Sequence, residues 1–489
     1  MLPVSDNPST ELHKKPKTPL LFDRKSSFSS LQAYFSVYHP RTWLIFTILL
    51  LQVLLLFMAR SLPISISIPR NRQHFPTPFT APAVQVSGNP ECAFGKVYVY
   101  DLPSFFNREL VKNCDKLNPW SSRCDTLTND GFGQRATGLA GVVPEDLMPA
   151  WYWTDQFVTE IIFHNRILKH PCRTFEPESA TAYYIPFYAG LAVGKYLWSN
   201  CSRQDRDRHG EMLLTWVRDQ PYWNRSNGWD HFITLGRITW DFRRSKDEDW
   251  GSSLIYMPLM RNITRLLIER NPWDYFDVGV PYPTGFHPRS DADVLQWQHH
   301  VRTRNRTTLF SFAGATRGAI RNDFRGLLLR HCLNESDSCR VVDCAGTRCS
   351  NGTSAILESF LDSDFCLQPR GDSFTRRSIF DCMIAGSIPV FFWRRTAYFQ
   401  YEWFLPSEPG SYSVFIHRNE VKNGTSIRGV LESYSREEVR KMREKVIDYI
   451  PKLVYARPDA GLESFKDAFD VAIDGVLRRM KEQEGGYKW

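Results

Sequence analysis

Cysteine is missing from the first 91 residues of this 489-residue chain; all eleven (92, 114, 124, 172, 201, 332, 339, 344, 349, 366 and 382) come later. Usable N-glycosylation acceptors are missing from that stretch too, because Asn7 is followed by Pro8. Acceptors at Asn200, Asn224, Asn262, Asn305, Asn334, Asn351 and Asn423 all lie beyond it. Both absences fit a cytosolic tail followed by a large region in an oxidising lumen. Net charge is nearly absent from residues 91–489, with 52 Lys/Arg against 50 Asp/Glu. A nucleic-acid-binding domain carries a basic stripe, so no nucleic-acid partner is expected. Internal repeats of fixed period are absent, which removes solenoids and propellers.

Long apolar runs are absent with one exception. Trp43 to Ala59 holds seventeen residues with only Thr47 and Gln52 polar. At ~1.5 Å per residue it spans roughly 26 Å, enough for a thin bilayer of the early secretory pathway. A signal peptide begins near Met1, whereas this run follows a 42-residue tail, so it reads as a retained signal anchor. Lysines and arginines before the run put the N-terminus in the cytosol. Residues 60–90 carry six prolines with Ser and Thr and no cysteine, the composition of an extended stem. The expectation is a single-pass type II membrane protein: tail 1–42, transmembrane helix 43–59, stem 60–90.

The remaining length exceeds one core, and 42% apolar with 23% charged residues excludes dominant disorder. Strand-like segments at 96–100, 182–187, 232–235 and 254–257 precede a second series at 309–315, 364–368 and 386–392. Residues 151–168 have helical spacing, and 289–305 read as a polar linker. This alternation predicts two α/β, Rossmann-like domains, over 91–300 on the acceptor side and 301–455 on the nucleotide-sugar side. Ser435-Arg-Glu-Glu438 is a capping box. A last amphipathic helix in 456–489 places Phe465, Phe469, Ala472, Val476 and Met480 on one face.

Phe365 to Phe392 carries the densest chemistry. An apolar strand ends at Pro369, then comes a turn with Gly371, Asp372, Ser373 and Thr375, a helix to Ala385 and another strand. Such a turn offers free backbone N–H groups to a phosphate at the carboxyl edge of a parallel sheet. Arg376 and Arg377 suit a diphosphate leaving group, and Asp381 suits ribose hydroxyls. The alternative is ordinary surface ion pairing on an amphipathic helix.

This run resembles the C-terminal signature of the exostosin-like glycosyltransferases, glycosyltransferase family 47. Other blocks match in order: Val97-Tyr-Val-Tyr-Asp-Leu-Pro103, Phe163-His-Asn-Arg166, Ile185-Pro-Phe-Tyr-Ala-Gly-Leu191, Arg237-Ile-Thr-Trp-Asp-Phe-Arg-Arg244, Pro281-Tyr-Pro-Thr284 and Leu309-Phe-Ser-Phe-Ala-Gly314. The chain is most similar to the plant xyloglucan galactosyltransferase group, and its first residues to the subgroup acting on the second xylosyl position. The resemblance implies a GT-B fold, with two Rossmann-like domains facing a cleft, a Golgi membrane location and inverting transfer. It implies UDP-galactose as donor and a xylosyl side chain of xyloglucan as acceptor, giving a β-1,2 linkage. UDP-galacturonic acid or UDP-arabinose as donor, and a non-catalytic Golgi subunit, are the alternatives. Complexes with other xyloglucan transferases are a further expectation. The family often has one Arg three residues before the ribose-binding acid. Here that place is Ser378, so the contact falls to Arg376 or Arg377. Arg317, after the Gly314 loop, is another diphosphate candidate, with a solvated loop arginine as its alternative.

Inverting transfer needs a base. Asp241 and His164 are the leading candidates, with Glu160 and the Asp230-His231 pair beside them. No bound cofactor and no divalent metal are expected. Asp205-Arg-Asp207, Asp247-Glu-Asp249, Asp291-Ala-Asp293 and Asp362-Ser-Asp364 lie in charged runs, in the linker, or before a strand, not after one. Four cysteines at 332–349 read as disulfides and not zinc ligands. Eleven is odd, so at least one thiol is unpaired, with Cys366 and Cys382 the expected buried ones. Trp151, Trp153 and Trp240 are candidate sugar-stacking rings.

Overall fold

The computed structural model describes residues 47–52, 54, 92–317, 323–346, 349, 354–457 and 462–486. The expected tail and stem lie outside these residues, as does most of the expected anchor. Residues 47–52 are helical, with Ile48, Leu49, Leu50 and Leu51 exposed. No helix among the described residues is long and apolar enough to cross a membrane.

Two wholly parallel sheets organise the rest. The first contains β1 (Val97–Val99), β2 (Arg173–Thr174), β3 (Ala182–Ile185), β4 (His231–Leu235), β5 (Thr264–Leu267) and β6 (Asp277–Gly279), in the order β2-β1-β3-β4-β5-β6. The second contains β7 (Thr308–Gly314), β8 (Cys339–Asp343), β9 (Ser363–Gln368), β10 (Ile388–Phe391) and β11 (Val414–Phe415), in the order β11-β10-β9-β7-β8. Central strands are buried on both faces, which explains their continuous apolar runs. Register is regular: Tyr184 pairs Phe232 across β3 and β4, and Val390 pairs Leu367 across β10 and β9.

Helices cover these faces: α1 (Thr159–Ile167), α2 (Ala189–Leu197), α3 (Arg203–Arg218), α4 (Asp291–Thr303), α5 (Phe324–Asn334), α6 (Ser354–Leu361), α7 (Ser378–Ile384), α8 (Arg436–Tyr449) and α9 (Ala468–Gly486). Ser435 and Glu438 form the expected capping box of α8. In α9 the expected face is buried from Phe469 onward, whereas Phe465 precedes the helix and is half-buried, and Phe469 packs its ring against Phe163 of α1.

Several expectations change. Residues 289–305 are not a linker; they contain α4, which buries Val294, Trp297 and Val301. Residues 254–257 form a 3-10 turn, and the strands of that region are β5 and β6. The helix expected at 151–168 is α1 alone, because Trp151 instead bridges Phe286 as extended chain. Cys366 and Cys382 are not free: they bond to each other, tying β9 to α7. The other pairs are 92–172, 114–124, 332–339 and 344–349, and Cys201 is the free cysteine.

Candidate active site

The carboxyl edges of the two sheets meet. Glu269, just past β5, is buried and accepts hydrogen bonds at Oε2 from the Phe374 and Thr375 amides, at 2.8 and 2.9 Å. Burial pushes the Glu269 carboxyl up, opposed by Ser373, Thr375 and those amides. Thr375 also donates from its hydroxyl to Tyr282 at 3.1 Å. Ser373 and Thr375, two expected donor ligands, thus face an acid of the first sheet. A second tie joins Arg270 to Phe399, Gln400 and Glu402.

Strand order reverses between β7 and β9, since β7 leads to β8 on one side and β9 to β10 on the other. That crevice is where open α/β sheets bind ligands. Four arginines gather there. Arg376 lies half-buried beneath the end of β7 and donates to the Ala313 carbonyl at 2.7 Å. Its Nη1 is buried with no partner among the described residues. Burial, then Arg325, pushes the Arg376 guanidinium down to about 9, still cationic at neutral pH. Arg317 pairs with Asp323 at 3.0 Å and reaches toward the Gly371 carbonyl. Arg325, at the start of α5, bonds Asp372 at 3.2 Å, and Arg370 lies close enough to feel Arg317 and Asp372. Four cations against two aspartates leave a positive surplus at the sheet edge, which a diphosphate would neutralise. Gly371 is required here: a Cβ would lie 1.9 Å from the Thr375 carbonyl oxygen. Arg325 and Arg370 were not singled out by sequence reasoning.

Arg377 points elsewhere. It pairs with Asp381 at 3.2 Å and donates to the Thr154 carbonyl of the first-sheet half. Both residues line a cavity of about 590 Å3, whose opposite wall carries Trp151, Trp153, Asp125 and Asp155. Asp155 accepts from the Phe157 amide at 2.8 Å and pairs with Arg123 at 2.9 Å. Burial raises the Asp381 carboxyl, and Arg377 opposes that. Arg376 and Arg377 precede α7, and Asp381 sits in its first turn. The pair of arginines therefore divides, one serving the crevice and one the cavity.

The expected bases fall outside this cavity's lining. Asp241 is buried in a 3-10 turn after β4, with Oδ2 bonded by Arg237 at 2.6 Å and Oδ1 by Trp250 at 2.7 Å. His164 packs in α1 against the Tyr188 hydroxyl at 2.9 Å, and burial pushes it down to about 4. His231 begins β4, at the amino edge away from the cleft, and bonds Asp230 and the Tyr100 hydroxyl. Burial would raise Asp230, but His231, Ser226 and Arg225 hold it below the ordinary range. Glu160 is buried under α2, with Oε1 accepting from the Gly190 and Gly236 amides. Its Oε2 has no partner among the described residues, and burial pushes the carboxyl up to about 8. A group held protonated at neutral pH is not a resting base. Asp155, missed because its segment reads as helix, is a carboxylate on the first-sheet wall of the cavity. Among the described residues no group of three or more His, Cys, Asp or Glu is placed to hold a metal ion.

Two parallel sheets, a cationic crevice on one and a carboxylate on the other half make the arrangement of an α/β enzyme with a cleft between two halves. The exostosin GT47 domain matches residues 91–431, and the chain belongs to that glycosyltransferase family. It is 64% identical to xyloglucan galactosyltransferase XLT2 of Arabidopsis thaliana, over the full length of both. Xyloglucan galactosyltransferase MUR3 of the same plant is 42% identical over 80% of this chain and 63% of its own length. Xyloglucan-specific galacturonosyltransferase 1, also from Arabidopsis thaliana, is 40% identical over 80% of this chain and 58% of its own.

Proposed function

We propose that this chain is a UDP-galactose-dependent galactosyltransferase that adds galactose to a xylosyl side chain of xyloglucan with inversion, forming a β-1,2 linkage. The observation that carries the proposal is the cavity joining Arg377 and Asp381 of one half to Asp155 of the other. Similarity to XLT2 over the full length supports the choice of sugar and acceptor. In this reading the acceptor hydroxyl oxygen attacks the anomeric carbon as the bond to the diphosphate oxygen breaks. Asp155 takes the hydroxyl proton. Charge developing on the departing UDP falls to the arginines of the β7–β9 crevice and to Arg377. Asp381 accepts from ribose hydroxyls.

The enzyme works as a type II protein in the Golgi membrane, its cysteines and sequons on the lumenal side. The anchor composition of residues 43–59 and the one-sided cysteines support this. Full-length protein in detergent, incubated with UDP-galactose and a xylosylated oligosaccharide, yields a galactosylated product whose anomeric configuration is read by NMR. Transfer from UDP-galacturonic acid with none from UDP-galactose refutes the donor. No transfer from any UDP-sugar favours a non-catalytic subunit.

A further inference from the structure

The acceptor half carries an exposed tryptophan cluster that the chemistry above does not use. The Cys114–Cys124 disulfide closes a loop bearing Asn118, Trp120 and Arg123. Trp120 stands 69% exposed at its tip, and its ring lies 5.4 Å from that of Trp198, itself 52% exposed at the end of α2. Trp250 buttresses Trp198 edge-on at 4.7 Å and is fixed in turn by its bond to Asp241. Two large exposed rings held by a covalent loop and a part-buried hydrogen bond are a built surface, and contiguous exposed apolar patches mark binding sites.

Beside the rings lies a small recess lined by Asn118, Arg123, Gly190 and Arg237. Arg123 connects the two places, since it lines this recess and pairs with Asp155 of the main cavity at 2.9 Å. That ion pair links the patch to the proposed transfer site. Indole faces match the C–H faces of pyranose rings, and flanking amide and guanidinium groups match their hydroxyls. Resting on the galactosyl-transfer reading, we infer that Trp120 and Trp198 form a platform for the neutral glucan backbone of the acceptor. It feeds side chains past Arg123 to Asp155. Charge fits as well, because residues 91–489 carry almost no net charge to favour an acidic partner.

The test uses full-length protein in detergent. Affinity electrophoresis through gels containing xyloglucan reads binding without any need for transfer, and kinetics read the KM for polymer and for UDP-galactose separately. Trp120→Ala with Trp198→Ala loses the retardation and raises the polymer KM about tenfold, while the KM for UDP-galactose stays at the wild-type value. Phenylalanine at both positions restores most of the retardation. Should the double variant fail to fold, Trp120→Ser alone still weakens retardation about threefold, because that ring is the more exposed. Wild-type retardation and polymer KM in these variants overturn the platform. So does a change confined to oligomeric state, which would assign the patch to a second copy of the chain. Tryptophan-dependent retardation without galactose transfer keeps the platform and refutes the donor reading instead.

Discussion

Replacing Glu160 by Gln makes the protein more stable at neutral pH and flattens its stability profile. In the fold the carboxyl is buried, and its pKa rises from 4.5 to about 8. The folded value lies above the unfolded one, so the fold binds the proton more tightly. The stabilisation is complete below about pH 4.5 and is lost as pH rises through about 8. At about 1.4 kcal/mol per pH unit, the wild type gives up about 3 kcal/mol by pH 7. Glutamine is neutral without taking up a proton. Its oxygen still accepts from the Gly190 and Gly236 amides, and its amide occupies the place of the unpartnered Oε2. Fit is retained in a space already tight: a Cβ on Gly236 would lie 2.7 Å from Glu160 Cγ. Denaturant unfolding of both proteins between pH 5 and 8 measures the effect. The difference curve is about 1 kcal/mol at pH 5 and grows to about 3 kcal/mol at pH 7. A variant whose stability falls with pH as steeply as the wild type's refutes the reasoning.

Arg376→Ala removes the half-buried cation under β7, and calorimetric affinity for UDP drops at least about tenfold; unchanged affinity removes it from the crevice site. Asp155→Asn lowers kcat by about 10²–10⁴ with little change in the KM for UDP-galactose, whereas full activity there returns the base to the other candidates. Asp241→Asn leaves Arg237 uncompensated and costs stability on the order of 3 kcal/mol, with kcat near wild type; a selective loss of kcat would reinstate Asp241 as the base. Activity persists in chelator, and its complete loss would revive one of the Asp-x-Asp pairs as a metal site.

How much of this was legible in the sequence depended on burial. The apolar strands β3, β4, β9 and β10 announced themselves because both faces are covered, which leaves uninterrupted runs. Strand β5 did not, because Arg265 sits within it, buried and neutralised by Asp274 and Asp277. Missing β5 meant missing Glu269, the acid that joins the two halves just beyond it. Arg376, Arg377 and Asp381 were legible from their place after a strand. Their division between crevice and cavity was not, since that depends on which guanidinium turns toward Ala313 and which toward Thr154. The partners of Asp241 were not legible, because Arg237 and Trp250 precede and follow it by a turn or more and only the fold brings them to its two oxygens. Cys366 and Cys382 looked like isolated core thiols for a related reason: a strand residue and a helix residue sixteen positions apart meet only when α7 packs back on its strand.

That disulfide also ties the proposed donor loop to the redox state of the chain. The loop with Gly371, Thr375, Arg376 and Arg377 hangs between β9 and α7, and the 366–382 bond closes it into a covalent ring. A thiol pair in a reducing compartment leaves the ring open, with the arginines attached to a strand and a helix free to part. On the proposed reading the donor loop is complete only while that bond is oxidised, which makes donor recognition sensitive to thiol reductants.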